Sequence, residues 1–208
     1  MNGEDLCKVT RGPQKGVEVN GGVIGGLVAT VTMPDARDRI VTDILKRHGI
    51  QSGTVDPNAW YPFAILEQMF ALLQDNGLHG ILRQFGKNTI DAIAWPPHVN
   101  SFEAAFCSID TAYHMHHRRN GKPLFEPATG SIIEGNIGHC VLVPLVPGQR
   151  RAVYFCGSYY PEEFDIGMAQ TIARKFKPDG ALAVRITPDD SRPRKRRGGT
   201  STTYQIEW

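Results

Sequence analysis

The stretch SFEAAFCSIDTAYHMHHRR, residues Ser101–Arg119, separates a helical half of the chain from a half rich in β-branched residues. Ser101 is a good helix N-cap, and the spacing predicts a helix that begins at Phe102 and runs to about Arg119. At about 100° per residue, its apolar stripe consists of Phe102, Ala105, Phe106, Ile109, Ala112 and Tyr113. His116 falls at the centre of that stripe, so the neighbouring histidines point in different directions.

The half of the chain upstream of this stretch is mainly helical. Apolar residues recur every three or four positions and predict helices over 34–48, 62–75 and 78–94. Val23–Val31 is short and rich in β-branched residues, and we predict a strand there. Residues 1–21 are polar and glycine-rich, with no hydrophobic signal-peptide core, and we expect a flexible tail.

The downstream half alternates β-branched runs with turns. Strands are predicted over Arg151–Tyr160, Ala181–Thr187 and Thr202–Trp208, with one helix over Phe164–Phe176. Most strands are connected as hairpins, which predicts an α+β fold with a twisted antiparallel sheet and a layer of four to five helices. We expect residues 22–208 to form a single domain.

Composition excludes several classes of protein. The 208 residues are 41% hydrophobic with a net charge of +2, which does not suit a wholesale nucleic-acid binder. No apolar run approaches the roughly 20 residues that span a bilayer. The 4 cysteines are widely spaced and form no CxxC pair, which favours a reduced, cytoplasmic protein over a disulfide framework.

The histidine-bearing helix supports two chemical hypotheses. His116, within the apolar stripe, is a candidate axial ligand for haem or a polar anchor for another ligand, and the alternative is a half-buried histidine bonded to a carbonyl. Cys107, Asp110, His114 and His117 share the opposite face and form a candidate metal site, for zinc in particular. The alternative is a solvated helix end whose positive charge suits the helix dipole.

A second segment can add to the metal hypothesis. His139 and Cys140 are adjacent on a predicted strand, where they point to opposite faces, and either could supply a ligand if it reaches the helix.

Aromatic residues of the helical half predict an apolar pocket between the helices and the sheet. Candidate lining residues are Trp60, Phe63, Phe70, Phe106, Tyr113 and His116. Aromatic side chains supply apolar area and a few polar handles for a small hydrophobic molecule. The alternative for each residue is a plain core position.

The positive charge is concentrated in the hairpin loop 189–200, where five basic residues stand against two acidic ones. The loop composition predicts a mobile segment. Contact with phosphate, on nucleic acid or an anionic surface, is one hypothesis, and a solubilising hairpin tip is the other. The basic residues are Arg192, Arg194, Lys195, Arg196 and Arg197.

Short passages spread along almost the whole chain form a recognisable series: Val23–Val31, Trp60–Pro62, LLQDNGLHGILRQFGKNTIDAI (72–93), YHMHHRR (113–119), YFCGSYYPEEFDIGMAQTIARKF (154–176) and TYQIEW (203–208). Together they resemble the superfamily that joins 4-vinyl reductase domains, haem-NO-binding domains and TRAPP-type trafficking subunits. Two family features are missing. The passage Tyr154–Tyr160 lacks the arginine of the YxSxR motif that holds haem propionates, and the terminal hairpin lacks the cysteine cluster of vinyl-reductase-type domains.

The resemblance implies helices packed on one side of a twisted antiparallel sheet, with a small hydrophobic ligand held between them. The first hypothesis for function is therefore a non-catalytic sensory or carrier domain, with haem as one possible ligand. A dimerising adaptor that acts through protein contacts is the second. A metal-dependent enzyme that uses the helix 110–117 is the third.

Overall fold

The computed structural model describes residues 12–50, 54–143 and 148–208. Within them the α-helices are α1 (Gly21–Thr30), α2 (Pro34–Arg39), α3 (Phe63–Asp75), α4 (His79–Asp91), α5 (Phe102–Met115) and α6 (Glu162–Lys175). α2 continues as a π-helix (Ile40–Leu45) and a 3-10 turn (Lys46–His48), and a further 3-10 turn spans Lys195–Arg197. The strands are β1 (Val17–Asn20), β2 (Trp60–Pro62), β3 (His117–Arg119), β4 (Lys122–Pro123), β5 (Phe125–Glu126), β6 (Ser131–Ile132), β7 (Cys140–Leu142), β8 (Arg151–Cys156), β9 (Arg185–Pro188) and β10 (Thr202–Glu207). The chain is α+β, which confirms the predicted fold class.

The strands form separate antiparallel sheets. A sheet near the N-terminus has the order β2-β1-β3-β4, and a C-terminal sheet has the order β7-β8-β10-β9. β5 and β6 form a two-stranded ribbon. The C-terminal sheet carries a core that includes Tyr154, Tyr204 and Ile206, all nearly free of solvent exposure. Of the described helices, none is long and apolar enough to cross a membrane.

Val23–Val31 was predicted as a strand and is instead mostly helix α1, so that prediction is wrong. The Asn20 side chain accepts a hydrogen bond from the Gly22 backbone N–H (2.9 Å), which caps the helix. Ile24, Leu27 and Val28 then share one buried face at helical spacing. Tertiary burial of this face outweighs the strand preference of the β-branched residues.

Residues 17–20, assigned to a flexible tail, form the strand β1 at the centre of the first sheet, while residues 1–11 lie outside the described residues. β1 pairs with β3, with Val19 opposite His117. Because β3 begins at His117, helix α5 ends at Met115 and does not reach Arg119 as predicted. The side chain of His117 therefore points in the direction set by strand β3 and not by helix α5.

Helices α4 and α6 cross at two glycines. A Cβ atom on Gly86 would lie 2.2 Å from the Phe164 carbonyl oxygen, and one on Gly167 would lie 2.0 Å from the Arg83 carbonyl oxygen. No side chain fits at such a separation, so glycine allows the two backbones to touch. This close crossing positions one wall of the cavity described below.

The basic loop between β9 and β10 packs against α6, which contradicts the prediction of a mobile segment for its central part. The Lys195 side chain is 5% exposed, and its Nζ lies 2.7 Å from Asp165 Oδ2. The Arg194 guanidinium pairs with the buried Glu162. The acidic first turn of α6 thus binds both cations. Two of the five positive charges of the loop are therefore neutralised by neighbouring carboxylates.

Candidate functional site

A cavity of about 430 Å³ lies between helices α1, α4, α5 and the first turns of α6. Its apolar wall includes Ile90, Ile109, Phe164 and Met168. Asn88, Thr89, Tyr113, His116 and Ser158 are among the polar residues that reach it. Its volume and mixed lining are in the range of small-molecule sites.

Helix α1 contributes small residues to this cavity. Gly22, Gly26 and Ala29 line it and leave open space next to α4, where the Gly26 Cβ position is 3.5 Å from the Phe85 ring. Because a strand is predicted over Val23–Val31, the sequence does not identify these residues as cavity lining. A signal was nevertheless present, since Gly22, Gly26 and Ala29 recur at the spacing of one helical face.

The cavity includes only part of the predicted aromatic lining. Tyr113 and His116 line it, whereas Phe63, Phe70 and Phe106 are buried in the core and lie outside the cavity lining. Trp60 lies beneath the Arg118 guanidinium, whose carbon is 4.9 Å from the ring centroid. Helix α3 therefore supports the core, and α1 takes the place predicted for it at the cavity.

His116 caps the C-terminus of α5 and opens into the cavity. Its backbone carbonyl accepts a hydrogen bond from the Asn20 N–H (3.0 Å), but its imidazole makes no hydrogen bond to any described residue. Burial lowers the pKa of His116, which favours the neutral ring at pH 7. A neutral imidazole of this kind can accept a hydrogen bond from a ligand or coordinate a metal.

His117 is buried beside the cavity and is held by its neighbours. Its Nδ1 donates to the Tyr113 carbonyl (2.6 Å), and its Nε2 lies 3.4 Å from the Tyr160 hydroxyl. Burial lowers the pKa of His117 to about 3, so the ring is neutral. His117 also lies outside the cluster formed by the other predicted metal ligands.

Of the remaining metal candidates, three form a cluster and the two cysteines lie outside it. Asp110, His114 and His139 offer donor atoms that all lie within 4.8 Å of one another. Cys107 is exposed and takes no part in this cluster. Cys140 lies next to Cys156, with the two Sγ atoms 2.9 Å apart, and also lines the cavity.

The basic loop presents a smaller free charge than its composition indicated. Arg194 and Lys195 are paired with Glu162 and Asp165, as described above. Arg192, Arg196 and Arg197 are exposed. Of these, Arg192 lies 3.6 Å from Asp189, and Arg197 lies 3.0 Å from Asp190.

Comparison with known proteins finds similarity at the level of the fold. No protein-family model and no curated protein matches the chain. A mutant H-NOX protein of K. algicida, in its Fe(II) unliganded form, aligns with a TM-score of 0.60 and 14% identity over 90% of this chain and 95% of that chain. A mutant H-NOX protein of T. tengcongensis aligns with a TM-score of 0.58 and 15% identity over 90% of this chain and 96% of that chain.

These identities are low, and the likeness therefore shows a shared fold. Of the three families in the resemblance, the haem-NO-binding one is the family whose fold these structures share. A third structure, of an H-NOX mutant with an unnatural amino acid, gives the same result, with a TM-score of 0.58 and 16% identity over 90% of this chain and 95% of that chain.

Haem, which this fold implies, meets the described cavity residues only in part. His116 offers one axial donor, because its imidazole has no hydrogen-bond partner within the described part of the chain. The two haem propionates are anionic, and none of the described residues that line the cavity is a lysine or arginine that could pair with them inside it. The passage Cys156–Tyr160 places Tyr160 where the motif has arginine, and Lys195 next to it is already bound to Asp165. The described cavity therefore does not fit a dianionic haem.

Proposed function

We propose that the protein is a non-catalytic binding domain, of sensory or carrier type, for a small, uncharged and mainly apolar molecule. The observation that carries this proposal is the cavity of about 430 Å³ between α1, α4, α5 and α6, whose described lining residues bear no lysine, arginine, aspartate or glutamate. Burial of apolar surface supplies the affinity, and the neutral His116 imidazole supplies one directional contact.

Internal hydrogen bonds support a binding role over a catalytic one. The Tyr113 hydroxyl donates to the Ile137 carbonyl (2.9 Å), and the His117 Nδ1 donates to the Tyr113 carbonyl. Burial raises the pKa of Tyr113 and Tyr160, which keeps both hydroxyls protonated. These groups orient the cavity wall and stabilise the fold.

A pair of probes tests the predicted ligand chemistry. The uncharged 2-naphthol is expected to bind the purified chain at neutral pH, as measured by titration calorimetry. 2-Naphthoate has a similar ring and a negative charge, and we expect it to bind at least tenfold more weakly because the described lining offers no lysine or arginine to a carboxylate. Equal binding of the two probes, or binding of neither, would overturn the proposal.

Two adjacent glycines of α1 provide a matched pair of variants. Gly26→Leu projects a side chain into the cavity, whereas Gly25 lies outside the cavity lining and a Cβ there meets nothing within 4 Å. Both substitutions place leucine in the same helix. We expect Gly26→Leu to abolish binding of 2-naphthol and Gly25→Leu to leave it unchanged, while circular dichroism confirms that both variants fold.

Haem is tested in the same preparation. After incubation with haemin and gel filtration, the charge argument predicts no Soret band in the protein fraction. A stoichiometric Soret band that His116→Ala abolishes would identify haem as the ligand and refute the claim that the ligand is uncharged.

The expectations of a homodimer, of a partner protein and of a cytoplasmic location remain predictions. Sedimentation velocity at micromolar concentration separates a monomeric carrier from a dimerising adaptor. A dimer that Gly26→Leu leaves intact would show that self-association is independent of the cavity.

A further inference from the structure

Helix α5 carries a second group of chemically reactive side chains on the side away from the cavity. Asp110 and His114 lie one helical turn apart, and His139 reaches them from the segment that precedes β7. The His114 and His139 ring centroids are 4.7 Å apart. Donor atoms from all three residues lie within 4.8 Å of one another.

The His114 ring is poised as a metal ligand. Its Nδ1 lies 2.8 Å from the Asp110 carbonyl oxygen, which only accepts hydrogen bonds, so Nδ1 carries the proton. The other nitrogen, Nε2, then holds a free lone pair in the neutral ring. His114 is fully buried, and this Nε2 has no hydrogen-bond partner among the described residues.

Asp110 and His139 each have one hydrogen-bond partner outside the proposed ligand set, and they also contact each other. Asp110 Oδ1 accepts from the Cys140 N–H (2.9 Å), and Asp110 Oδ2 lies 2.8 Å from His139 Nδ1. On the far side of the ring, His139 Nε2 lies 3.0 Å from Glu134 Oε2. A carboxylate behind a histidine sets the ring orientation and increases its basicity as a ligand.

We propose that Asp110, His114 and His139 bind a divalent transition metal of the zinc class, with Glu134 as a positioning residue for His139. Two imidazoles and one carboxylate are a donor set that zinc accepts, and the fourth position falls to solvent. The Asp110 and His139 side chains are 15% and 17% exposed, which leaves a path for the ion. Tetrahedral bonds of about 2.1 Å require donors about 3.4 Å apart. On binding, the ion therefore displaces the proton between His139 Nδ1 and Asp110 Oδ2 to solvent, and these two atoms, now 2.8 Å apart, separate slightly while His114 moves closer.

The competing interpretation is a metal-free ion-pair network. In that case, a protonated His139 bridges Asp110 and Glu134, and His114 is a bystander. That arrangement leaves the buried His114 Nε2 without a hydrogen bond, which carries a cost in stability. A metal ion bound to the His114 lone pair removes this cost, and the two interpretations predict different responses to the ion.

The test is a titration of the full chain, stripped with a chelator, with Zn²⁺ and separately with Co²⁺. We expect one ion per chain and, for Co²⁺, the intense visible absorption of a four-coordinate site. His114→Gln and His139→Gln should each weaken Zn²⁺ binding at least 100-fold, and Glu134→Gln should weaken it by about 10–100-fold. His98 is exposed in a loop, and His98→Gln should leave binding unchanged.

Several results would overturn the proposal. They are the absence of stoichiometric binding to the wild-type chain, weak octahedral absorption with Co²⁺, and equal affinities for His139→Gln and His98→Gln. His139 is partly exposed and its variant is expected to fold, so the test holds even if His114→Gln is unstable. The experiment does not involve the cavity, and its outcome is independent of 2-naphthol binding.

Discussion

Lys195 offers a direct test of whether the basic loop is part of the folded core. Its Nζ lies 2.7 Å from Asp165 Oδ2, 2.9 Å from the Tyr160 carbonyl and 3.2 Å from Ser158 Oγ. Burial alone would lower the pKa of Lys195, but Asp165 together with the nearby Cys156 and Cys140 outweighs this effect and raises it. The cation is therefore retained, and Lys195→Met removes it from a fully buried partner.

The expected loss of stability follows from the hydrogen bonds that remain to Asp165 after Lys195 is removed. Without Lys195, the carboxylate has the Tyr204 hydroxyl (3.2 Å) as a donor, and its Oδ1 has no hydrogen-bond partner among the described residues. Breaking a buried pair by removing one partner costs about 3–5 kcal/mol. For a chain of this size, 1 kcal/mol changes Tm by roughly 2–4 °C, so a 4 kcal/mol loss lowers Tm by roughly 8–16 °C.

Urea unfolding followed by circular dichroism measures the effect. Arg196→Met is the matched control, because Arg196 is exposed on the same loop and the change should stay within about 0.5 kcal/mol. The double variant Lys195→Met with Asp165→Asn removes both charges. We expect it to recover about half of the loss, since burial raises the pKa of Asp165 and the double variant no longer has to bury or protonate a carboxylate without its partner.

A loss below about 1 kcal/mol for Lys195→Met, equal to that of Arg196→Met, would refute the reasoning. It would mean that the loop is mobile and that its cations are solvated, as composition alone had indicated. A double variant less stable than Lys195→Met would show that the charge pair is not the cause.

Three further substitutions test a close helix contact, an ion pair and a buried hydrogen bond. Gly167→Ala should destabilise by about 1–3 kcal/mol because its Cβ would lie 2.0 Å from a carbonyl oxygen of α4, whereas Gly80→Ala, with nothing within 4 Å, should be neutral or stabilising in thermal melts. Arg118 lowers the pKa of Glu18, so the pair stabilises the fold above the unfolded value of 4.5 and this contribution is lost as pH falls through the folded pKa. Glu18→Gln should therefore cost about 1 kcal/mol at pH 7 and less at pH 3 in urea titrations, and equal losses at both values would contradict this. Tyr113→Phe leaves a buried carbonyl without its 2.9 Å hydrogen bond and should cost about 1–3 kcal/mol in the same assay, with an unchanged midpoint as the contrary result.

Long amphipathic segments could be predicted from the sequence because their local and tertiary preferences agree. The helices predicted over 62–75 and 78–94 correspond to α3 and α4, and the predicted strand Thr202–Trp208 corresponds to β10. In α1 the two preferences disagree. Its β-branched residues favour a strand locally, and burial of Ile24 and Leu27 against the core selects the helix.

For the metal cluster, the sequence places Asp110 and His114 on one helix face and offers His139 or Cys140 from a second segment, without showing whether either reaches the helix. Asp110 and His114 are one turn apart, and their proximity follows from helical geometry. The contact with His139 depends on how α5 packs against β7, which no local pattern encodes. The same holds for Lys195, whose charge is visible in the sequence and whose partner, 30 residues away, is not.

Two differences between sequence and structure share one physical cause. β1 pairs with β3 in the register that places Val19 opposite His117, and the Asn20 N–H donates to the His116 carbonyl. This pairing of segments about 100 residues apart recruits residues 17–20 from the expected tail, and it also ends α5 at Met115. With the helix ended there, His114 stays on the Asp110 face, His116 opens into the cavity and His117 enters the core. One non-local strand pairing thus assigns three neighbouring histidines to three environments.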